Sequence, residues 1–215
     1  MTTKGQYIVV EGMDGAGKTT AMSAVTSFLV SQGIKFEVVR EPGFTVLAEE
    51  IREVVKRPRL DTVDPRAELL LFGAARADSY ARIKTMLDNG ITVVSDRSAV
   101  STYAYQGAGR GLYREVDKLR EIVFGDDVPY DYGIFLLVDP LVGLTRSRGR
   151  GELDRLEQEP LDFFKRVASA YDNAAEHRKY CKSTLYLHVS DISISRVDEQ
   201  LRDQLAVRYK YLNKE

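Results

Sequence analysis

A glycine-rich loop between an apolar run and a helix-like segment most strongly constrains the fold of this chain. The run YIVVE over residues 7–11 is followed by GMDGAGKTT over residues 12–20, which fits the pattern G-x-x-x-x-G-K-[ST]. Glycines let the backbone curl until successive N–H groups point at one anion, and the following helix adds the positive end of its dipole. The pattern therefore predicts a strand, a phosphate-binding loop and a helix, in that order.

The polar residues of this loop have candidate roles. Lys18 can reach the β- and γ-phosphates of a nucleotide, and the hydroxyl of Thr19 can ligate Mg²⁺. The loop thus predicts a site for a nucleoside triphosphate such as ATP together with Mg²⁺. The residues predicted to bind this nucleotide are Gly12, Asp14, Gly15, Ala16, Gly17, Lys18, Thr19 and Thr20. Motors, switches and kinases all use such a loop, so it does not fix the reaction.

Apolar runs alternate with segments of helical periodicity along the chain. Continuous Val, Ile and Leu runs are typical of strands covered on both faces, and their alternation with helices predicts a parallel sheet. We therefore predict one α/β domain over residues 1–215, with a five-stranded parallel sheet flanked by helices. The predicted strands cover 7–11, 36–40, 91–96, 132–139 and 184–189, and the predicted helices cover 17–32, 46–57, 65–88, 112–124, 160–178 and 192–209.

Composition narrows the range of partners. With 31 Lys and Arg against 32 Asp and Glu, the net charge is -1, which argues against a general binder of nucleic acid or of membrane surfaces. No apolar run approaches the roughly 20 residues of a membrane-spanning helix. The single cysteine, Cys181, cannot form an internal disulfide, and no secretory signal begins the chain, so we expect a reducing, cytoplasmic setting. His177 and His188 stand apart from other metal ligands.

Charged residues fall where a parallel sheet would bring them together. Arg40 ends the second predicted strand, and Asp96 with Arg97 ends the third. Because ligands bind at the carboxyl ends of such strands, these three side chains are expected beside the phosphate-binding loop. Two glycine- and arginine-rich stretches, QGAGRG at 106–111 and RSRGRGELDR at 146–155, are predicted to be irregular connections with a functional role.

Taken in order, five motifs resemble the thymidylate kinase family, P-loop kinases that transfer the γ-phosphate of ATP to dTMP. They are the phosphate-binding loop, REPG at 40–43, AELLLF at 67–72, DR at 96–97 with AYQGAGRG at 104–111, and RGELDRLEQEPLDFF at 150–164. The match is closest to the bacterial type, whose catalytic arginine lies in a lid. Ala16 stands where the other type has a P-loop arginine, and a lid at about 144–158 holds Arg148 and Arg150. The resemblance implies the three-layer sandwich of nucleoside monophosphate kinases.

This resemblance also implies roles for individual residues. For phosphoryl transfer it implicates Lys18, Arg97, Arg148, Arg150 and Asp14. For the acceptor nucleotide it implicates Asp14, Arg40, Phe72, Arg76, Arg97, Thr102, Tyr105 and Gln106, and for Mg²⁺ it implicates Thr19 and Asp96. Arg40 and Arg97 would hold the acceptor phosphate, since guanidinium binds phosphate oxygens bidentately.

The resemblance further divides the acceptor nucleotide among these side chains. Phe72 would stack on the base and Arg76, four residues later on the same helix face, would donate to its exocyclic oxygen. Tyr105 would crowd the 2′ position of the sugar, and Asp14 would accept from its 3′-hydroxyl. Plainer roles stay open: Asp14 could only shape the turn, Phe72 and Tyr105 could be packing residues, and Arg76 could be a solvated helix residue.

Three positions depart from the family pattern. Phe44 stands where a second glycine is usual, Val46 where proline or a polar residue is common, and Ser98 where tyrosine or histidine is usual. The first two alter the loop beside the acceptor phosphate, and Ser98 could leave room or a polar contact in the acceptor pocket. Strict preference for thymine over uracil therefore stays open.

Two alternative functions also remain at this point. A deoxynucleoside kinase shares the loop and a comparable lid, but its acceptor is a hydroxyl that needs a carboxylate base. A nucleotide-dependent switch would hydrolyse ATP or GTP slowly without an acceptor. The family resemblance favours a kinase, and it implies a homodimer that packs helices near the acceptor site.

Overall fold

The computed structural model describes residues 4–58, 61–149, 153–173 and 177–212, and within them it shows one five-stranded sheet whose neighbouring strands are all parallel. The strand order is β2-β3-β1-β4-β5, so β1 is central. The strands are β1 Tyr7–Gly12, β2 Phe36–Arg40, β3 Thr92–Asp96, β4 Tyr130–Leu137 and β5 Cys181–His188. All six residues of β1 are buried, as expected for a strand with helices on both faces. The predicted α/β class is confirmed.

Helices connect the strands and flank the sheet. They are α1 Lys18–Ser31, α2 Val46–Lys56, α3 Pro65–Asp88, α4 Ala99–Thr102, α5 Tyr113–Phe124, α6 Pro140–Arg148, α7 Leu161–Tyr171 and α8 Ile194–Leu212, with a π-helix over Tyr103–Gly109. α3 begins at Pro65 as predicted, because the Asp64 carboxylate accepts from the N–H groups of Arg66 and Ala67. Among the described helices, none has both the length and the apolar character that a membrane crossing requires.

One predicted helix boundary needs correction, and one helix was not predicted. The helix predicted over 160–178 ends at Tyr171, and residues 174–176 of that prediction lie outside the described residues. The helix α6 is absent from the prediction, although Asp139 caps it and Pro140 begins it. The same Asp-Pro signal marks the start of α3, so the sequence did carry the information.

The stretch QGAGRG is largely helical, and its prediction as an irregular connection is wrong. Tyr103–Gly109 forms a π-helix that continues α4. Glycine normally weakens a helix, but a β-carbon at Gly109 would lie 2.4 Å from the ring of Phe163. The glycine is therefore required for close packing, which helix propensity cannot indicate. Residues 146–148 of the second glycine- and arginine-rich stretch likewise belong to α6.

Strand register brings three charged residues to one edge of the sheet. Arg40 is paired with Asp96 across β2 and β3, and Asp96 is paired with Val10 across β3 and β1. Val10 precedes the phosphate-binding loop by two residues, so the ends of β2 and β3 lie directly beside that loop. Arg97 follows Asp96, and its N–H donates to the Val10 carbonyl at 3.0 Å. The strand register thus explains why these residues come together at the sheet edge, as expected.

Buried apolar residues form two separate clusters. The main core lies along the sheet and its helices and includes Ile8, Val94 and Phe135. A second apolar cluster joins α2 to α3 and consists of Ala48, Ile51, Val55, Phe72 and Ala75, with Leu71 and Leu156 packed against it. Phe72 therefore belongs to a small core of its own, next to the edge of the sheet where the charged residues meet.

Candidate active site

The loop between β1 and α1 presents backbone N–H groups. α1 begins at Lys18 after Gly17, whose φ is 90°, and no side chain caps this helix. Side chains do cap the helices α2, α3, α4 and α6, through Thr45, Asp64, Ser98 and Asp139. An uncapped helix start leaves its first N–H groups to an anion. Only glycine fits at position 15, because a β-carbon there would clash with the Gly143 carbonyl oxygen.

Three charged side chains meet where this loop faces β3. Arg97 Nη2 donates to Asp14 Oδ1 at 2.6 Å, and Lys18 Nζ lies 3.6 Å from the same oxygen. Burial alone would raise the pKa of Asp14, but Arg97 and Lys18 outweigh it and hold this pKa below its usual range. Burial and the nearby Arg97 lower the pKa of Lys18. Asp14 thus does more than shape a turn: it offsets part of the positive charge of the site.

Arg97 is held in an unusual backbone conformation. Its φ is 73°, a left-handed value that costs a non-glycine residue energy and that concentrates at functional sites. Its guanidinium lies 5.4 Å from the centre of the Tyr105 ring, and the Tyr105 hydroxyl donates to Asp14 Oδ2 at 3.3 Å. Arg97, Asp14 and Tyr105 therefore fix one another at the sheet edge.

A cavity of about 200 Å³, here called the acceptor cavity, opens on the β2–β3 side of the loop. The predicted residues that line it are Asp14, Gly15, Gly17, Lys18, Thr19, Arg40, Phe72, Arg76, Asp96, Arg97, Thr102, Tyr105 and Gln106. Sequence reasoning missed Glu41, Pro42, Arg52, Lys56, Ser101, Asp154 and Leu156, which also line it. Arg52 and Lys56 lie four residues apart on α2, so their shared helix face was a usable signal.

Arg76 is buried in the wall of the acceptor cavity. Its Nε donates to Glu41 Oε2 at 2.6 Å, its Nη1 to Thr102 Oγ1 at 2.7 Å, and its Nη2 to the Ser98 carbonyl at 2.9 Å. A guanidinium carries five N–H groups, and these bonds use three of them while fixing its plane. Arg76 is therefore not a solvated helix residue, and it can still donate to a ligand.

A second cavity of about 420 Å³, here called the donor cavity, lies on the other side of the loop. Its lining consists of Gly15, Ala16, Gly17, Thr19, Thr20, Arg146, Val189, Ile192, Ser193 and Val197. Arg146 belongs to a stretch that was predicted to be functional, without a role in nucleotide binding, and Val189, Ile192, Ser193 and Val197 were not predicted. Arg146 donates to the carbonyls of Val189 at 3.0 Å and Ser190 at 2.9 Å, so it is tied to the connection that follows β5. Gly15, Gly17 and Thr19 line both cavities.

Asp96 has the features of a residue that faces a cation. Its Oδ1 is buried and has no hydrogen-bond partner among the described residues, which is uncommon for a carboxylate oxygen. Asp96 and Thr19 both line the acceptor cavity, and their carboxylate and hydroxyl oxygens are the ligand types that Mg²⁺ prefers. The residues present therefore fit a magnesium ion held directly or through water.

Other predicted residues lie at the margin or outside. Arg40 is half-exposed, and its Nη2 lies 3.3 Å from Glu49. Gly12 is buried at the start of the loop. Arg148 is exposed at the end of α6 and does not line either cavity, and Arg150 lies outside the described residues.

The Ser98 side chain does not line the acceptor cavity, so it makes no direct polar contact there. Ser98 is fully buried, and its hydroxyl donates to Glu11 at 2.6 Å while it accepts from the Val100 N–H at 3.1 Å. Its role is to cap α4. Phe44 is also outside the cavity lining: it packs against the main core with a left-handed φ of 85°. A glycine would adopt this φ without strain.

A phosphate-binding loop between two cavities, at the carboxyl edge of a five-stranded parallel sheet, defines the class: this is a P-loop fold of the nucleoside monophosphate kinase type. The family model described as "Thymidylate kinase" matches residues 10–190. The chain belongs to the thymidylate kinase family.

Relatives named "Thymidylate kinase" are similar over most of this chain. The one from Hahella chejuensis is 45% identical over 170 residues, which cover 78% of this chain and 81% of that protein. The one from Idiomarina loihiensis is 44% identical over 80% of this chain and 84% of that protein. The one from Alteromonas mediterranea is 44% identical over 81% of this chain and 79% of that protein.

Proposed function

We propose that this protein transfers the γ-phosphate of ATP to dTMP and forms dTDP and ADP. The observation that carries the proposal is the position of the phosphate-binding loop, since Gly15, Gly17 and Thr19 line both cavities. Two nucleotides bound in these cavities would meet with their phosphates at Lys18. Phosphoryl transfer requires such positioning and charge stabilisation more than covalent help from the protein.

The cations of the acceptor cavity support a phosphate-bearing acceptor. Arg40, Arg52 and Arg97 line this cavity, and guanidinium groups suit phosphate oxygens. A nucleoside kinase would instead need a carboxylate to accept a hydroxyl proton. Of the carboxylates that line the cavity, Glu41 and Asp14 are engaged by arginines at 2.6 Å, Asp154 pairs with Lys56, and Asp96 is assigned to Mg²⁺, which disfavours that alternative. A phosphate monoester is largely a dianion near pH 7 and needs no base.

The inner wall of the acceptor cavity supports a pyrimidine deoxynucleotide. Phe72 offers a ring face, and Arg76 retains N–H groups that can donate to an exocyclic oxygen. Tyr105 is fixed by its bond to Asp14 and would occupy the space that a 2′-hydroxyl needs. Asp14 can accept from a 3′-hydroxyl. These contacts leave the choice between thymine and uracil open.

Thr19 and Asp96 are the residues that would hold Mg²⁺. When bound, the ion neutralises charge on the phosphates of ATP. Lys18 stabilises the same charge from the loop, and a lid arginine, Arg148 or Arg150, would add a further positive charge from the segment at about 144–158. These lid roles rest on the family resemblance.

We also propose a homodimer in the cytoplasm. Leu70 is 65% exposed, and Ala74, Ala77 and Ala81 are exposed at helical spacing along the same face of α3. Small residues let two helices approach closely, and α3 also carries Phe72 and Arg76 of the acceptor cavity. Light scattering of the intact protein tests this proposal, and a monomer at all working concentrations would refute it.

The test of the activity is a panel of acceptors assayed with ATP and Mg²⁺. We expect ADP release with dTMP, and weaker release with ribonucleotides. Turnover with thymidine but not with dTMP would establish a nucleoside kinase instead. ATP or GTP hydrolysis that is independent of any acceptor would favour a switch.

A further inference from the structure

Glu68 is a buried carboxylate outside both cavities, and it binds three side chains from two other segments. It lies in the first turn of α3 and is fully buried. Gln106 Nε2 donates to Oε1 at 2.8 Å, and Arg110 donates to Oε1 at 3.3 Å and to Oε2 at 3.2 Å. Arg155 Nη2 lies 2.6 Å from Oε2 as an ion pair. Burial would raise the pKa of Glu68, but the bonds from Gln106 and Arg110 hold this pKa below its usual value.

Through Gln106, Glu68 reaches the acceptor cavity. An ionised carboxylate only accepts hydrogen bonds, so the amide NH₂ of Gln106 must be the group that faces it. This requirement fixes the orientation of the amide, whose two ends are otherwise hard to tell apart. The carbonyl end of Gln106, a residue of the cavity wall, is then turned away from Glu68. Glu68 thereby determines which hydrogen-bonding group Gln106 presents.

Through Arg155, Glu68 also holds the end of the lid. Arg155 Nε donates to the Val55 carbonyl at 3.0 Å, and its backbone N–H donates to the Lys56 carbonyl at 3.2 Å. These bonds fasten residues 153–156 to the end of α2. Next to Arg155, Asp154 pairs with Lys56 at 2.7 Å, and Leu156 packs against the second apolar cluster that contains Phe72. Asp154 and Leu156 both line the acceptor cavity.

We propose that Glu68 is a positioning residue that ties the end of the lid to the wall of the acceptor site. Because one carboxylate orients Gln106 and fixes Arg155, it positions the cavity wall and the end of the lid at the same time. Buried ion pairs add little net stability compared with apolar packing, which favours a positioning role over a stabilising one. The inference rests on the proposed function, since it assigns Glu68 to the acceptor nucleotide and not to ATP.

The test is steady-state kinetics of Glu68→Gln with dTMP and ATP varied separately. Loss of the carboxylate removes its ion pairs and the constraint on Gln106, so we expect KM for dTMP to rise by about tenfold and KM for ATP to stay within about twofold. Glu68→Asp keeps the carboxylate on a side chain that is shorter by one methylene, so its KM for dTMP should lie between the values of Glu68→Gln and the wild type. Ile83→Ala is the matched control, because Ile83 is fully buried on the same helix and should lower Tm without changing either KM.

Three outcomes overturn the proposal: an unchanged KM for dTMP, an equal rise in both KM values, or the same pattern in Ile83→Ala. If Glu68→Gln does not fold, Arg155→Met replaces it, since this variant removes the side-chain bonds from Arg155 to Glu68 and Val55 and leaves Glu68 paired with Arg110. An unchanged KM for dTMP in Arg155→Met then refutes the role. A wild-type protein that phosphorylates no nucleoside monophosphate refutes the proposed function itself, whereas an active wild type with silent variants refutes only the positioning.

Discussion

The two cavities that meet at the phosphate-binding loop are lined by different kinds of residues. The acceptor cavity is lined by charged side chains that are fixed in pairs, such as Arg76 with Glu41 and Arg97 with Asp14. The donor cavity is lined mainly by loop residues and apolar side chains, and Arg146 is the one charged residue in its described lining. We therefore expect one side to recognise its ligand through preorganised ions and the other through backbone groups and apolar surface.

This difference indicates where selectivity resides. Paired and buried ions have few alternative positions, so a ligand that does not match them leaves polar groups unsatisfied. Backbone N–H groups and apolar surface accept any nucleotide that supplies the phosphates and a flat base. We therefore expect strict choice of the acceptor and tolerance of the donor. The following substitutions test that contrast.

Lys18→Ala should have the largest effect because Lys18 lies between Gly17 and Thr19, which line both cavities. Removing one charged donor from a transferring phosphate should lower kcat by about 10²- to 10³-fold. The measurement is coupled ADP release at saturating ATP and dTMP. Lys165→Ala is the control, since Lys165 forms an exposed pair with Asp162 and should keep full activity. A kcat within tenfold of the wild type would contradict the role of Lys18.

Arg76→Lys should act on the acceptor side alone. Lysine keeps the charge but lacks the planar fork that bonds Glu41, Thr102 and Ser98 together. We expect KM for dTMP to rise by about 10- to 100-fold and KM for ATP to stay unchanged. Arg66→Lys serves as the control because Arg66 is exposed on the same helix. An equal rise in both KM values would break the contrast between the cavities.

Arg146→Ala should act on the donor side, so that KM for ATP changes and KM for dTMP does not. The effect should be smaller than that of Arg76→Lys. Arg146 braces the connection after β5 through two backbone carbonyls, each bond being worth about 1 kcal/mol. We expect KM for ATP to rise by about 3- to 10-fold with little change in KM for dTMP. The same assay with GTP in place of ATP sharpens the comparison, because a tolerant donor site should still turn over GTP.

Asp14→Asn should have the smallest effect on stability: the free energy of unfolding should fall at neutral pH, and this loss should disappear in acid. The native pKa of Asp14 lies below its usual range, so the ion pair with Arg97 stabilises the fold fully above about pH 4. This contribution falls as the pH drops towards the native pKa, because the unfolded state then binds more protons. Urea unfolding should therefore depend less steeply on pH in the variant below about pH 4. Parallel curves would mean that the pair carries no such contribution.

Sequence patterns predicted the fold well because each predicted strand carries a local signal. Continuous apolar runs placed all five strands, and Asp64 with Pro65 placed the start of α3. The π-helix over Tyr103–Gly109 was not predicted, since Gly109 is required by the ring of Phe163, which is distant in the chain. Such a requirement comes from tertiary packing and has no local signature.

The part of the candidate site that is formed by the side chains of sequence motifs was predictable. The predicted acceptor residues Phe72, Arg76 and Tyr105 line one cavity, because motif residues sit on elements whose ends converge. The part of the donor wall outside the phosphate-binding loop and α1 escaped prediction, since Val189, Ile192 and Val197 look like ordinary apolar residues of a strand end and a helix. The Ser98 hydroxyl turns inwards to Glu11, and no spacing in the sequence reveals this orientation.

The separation of the second apolar cluster from the main core has a consequence for how such a protein can diverge. Ala48, Ile51 and Val55 support Phe72 from behind without being part of the packing that covers the sheet. A mutation at Ile51 or Val55 would tilt the ring while leaving the central strands untouched. New acceptor preferences can thus arise from residues that never contact a nucleotide, and the scaffold that carries the phosphate chemistry would be inherited unchanged.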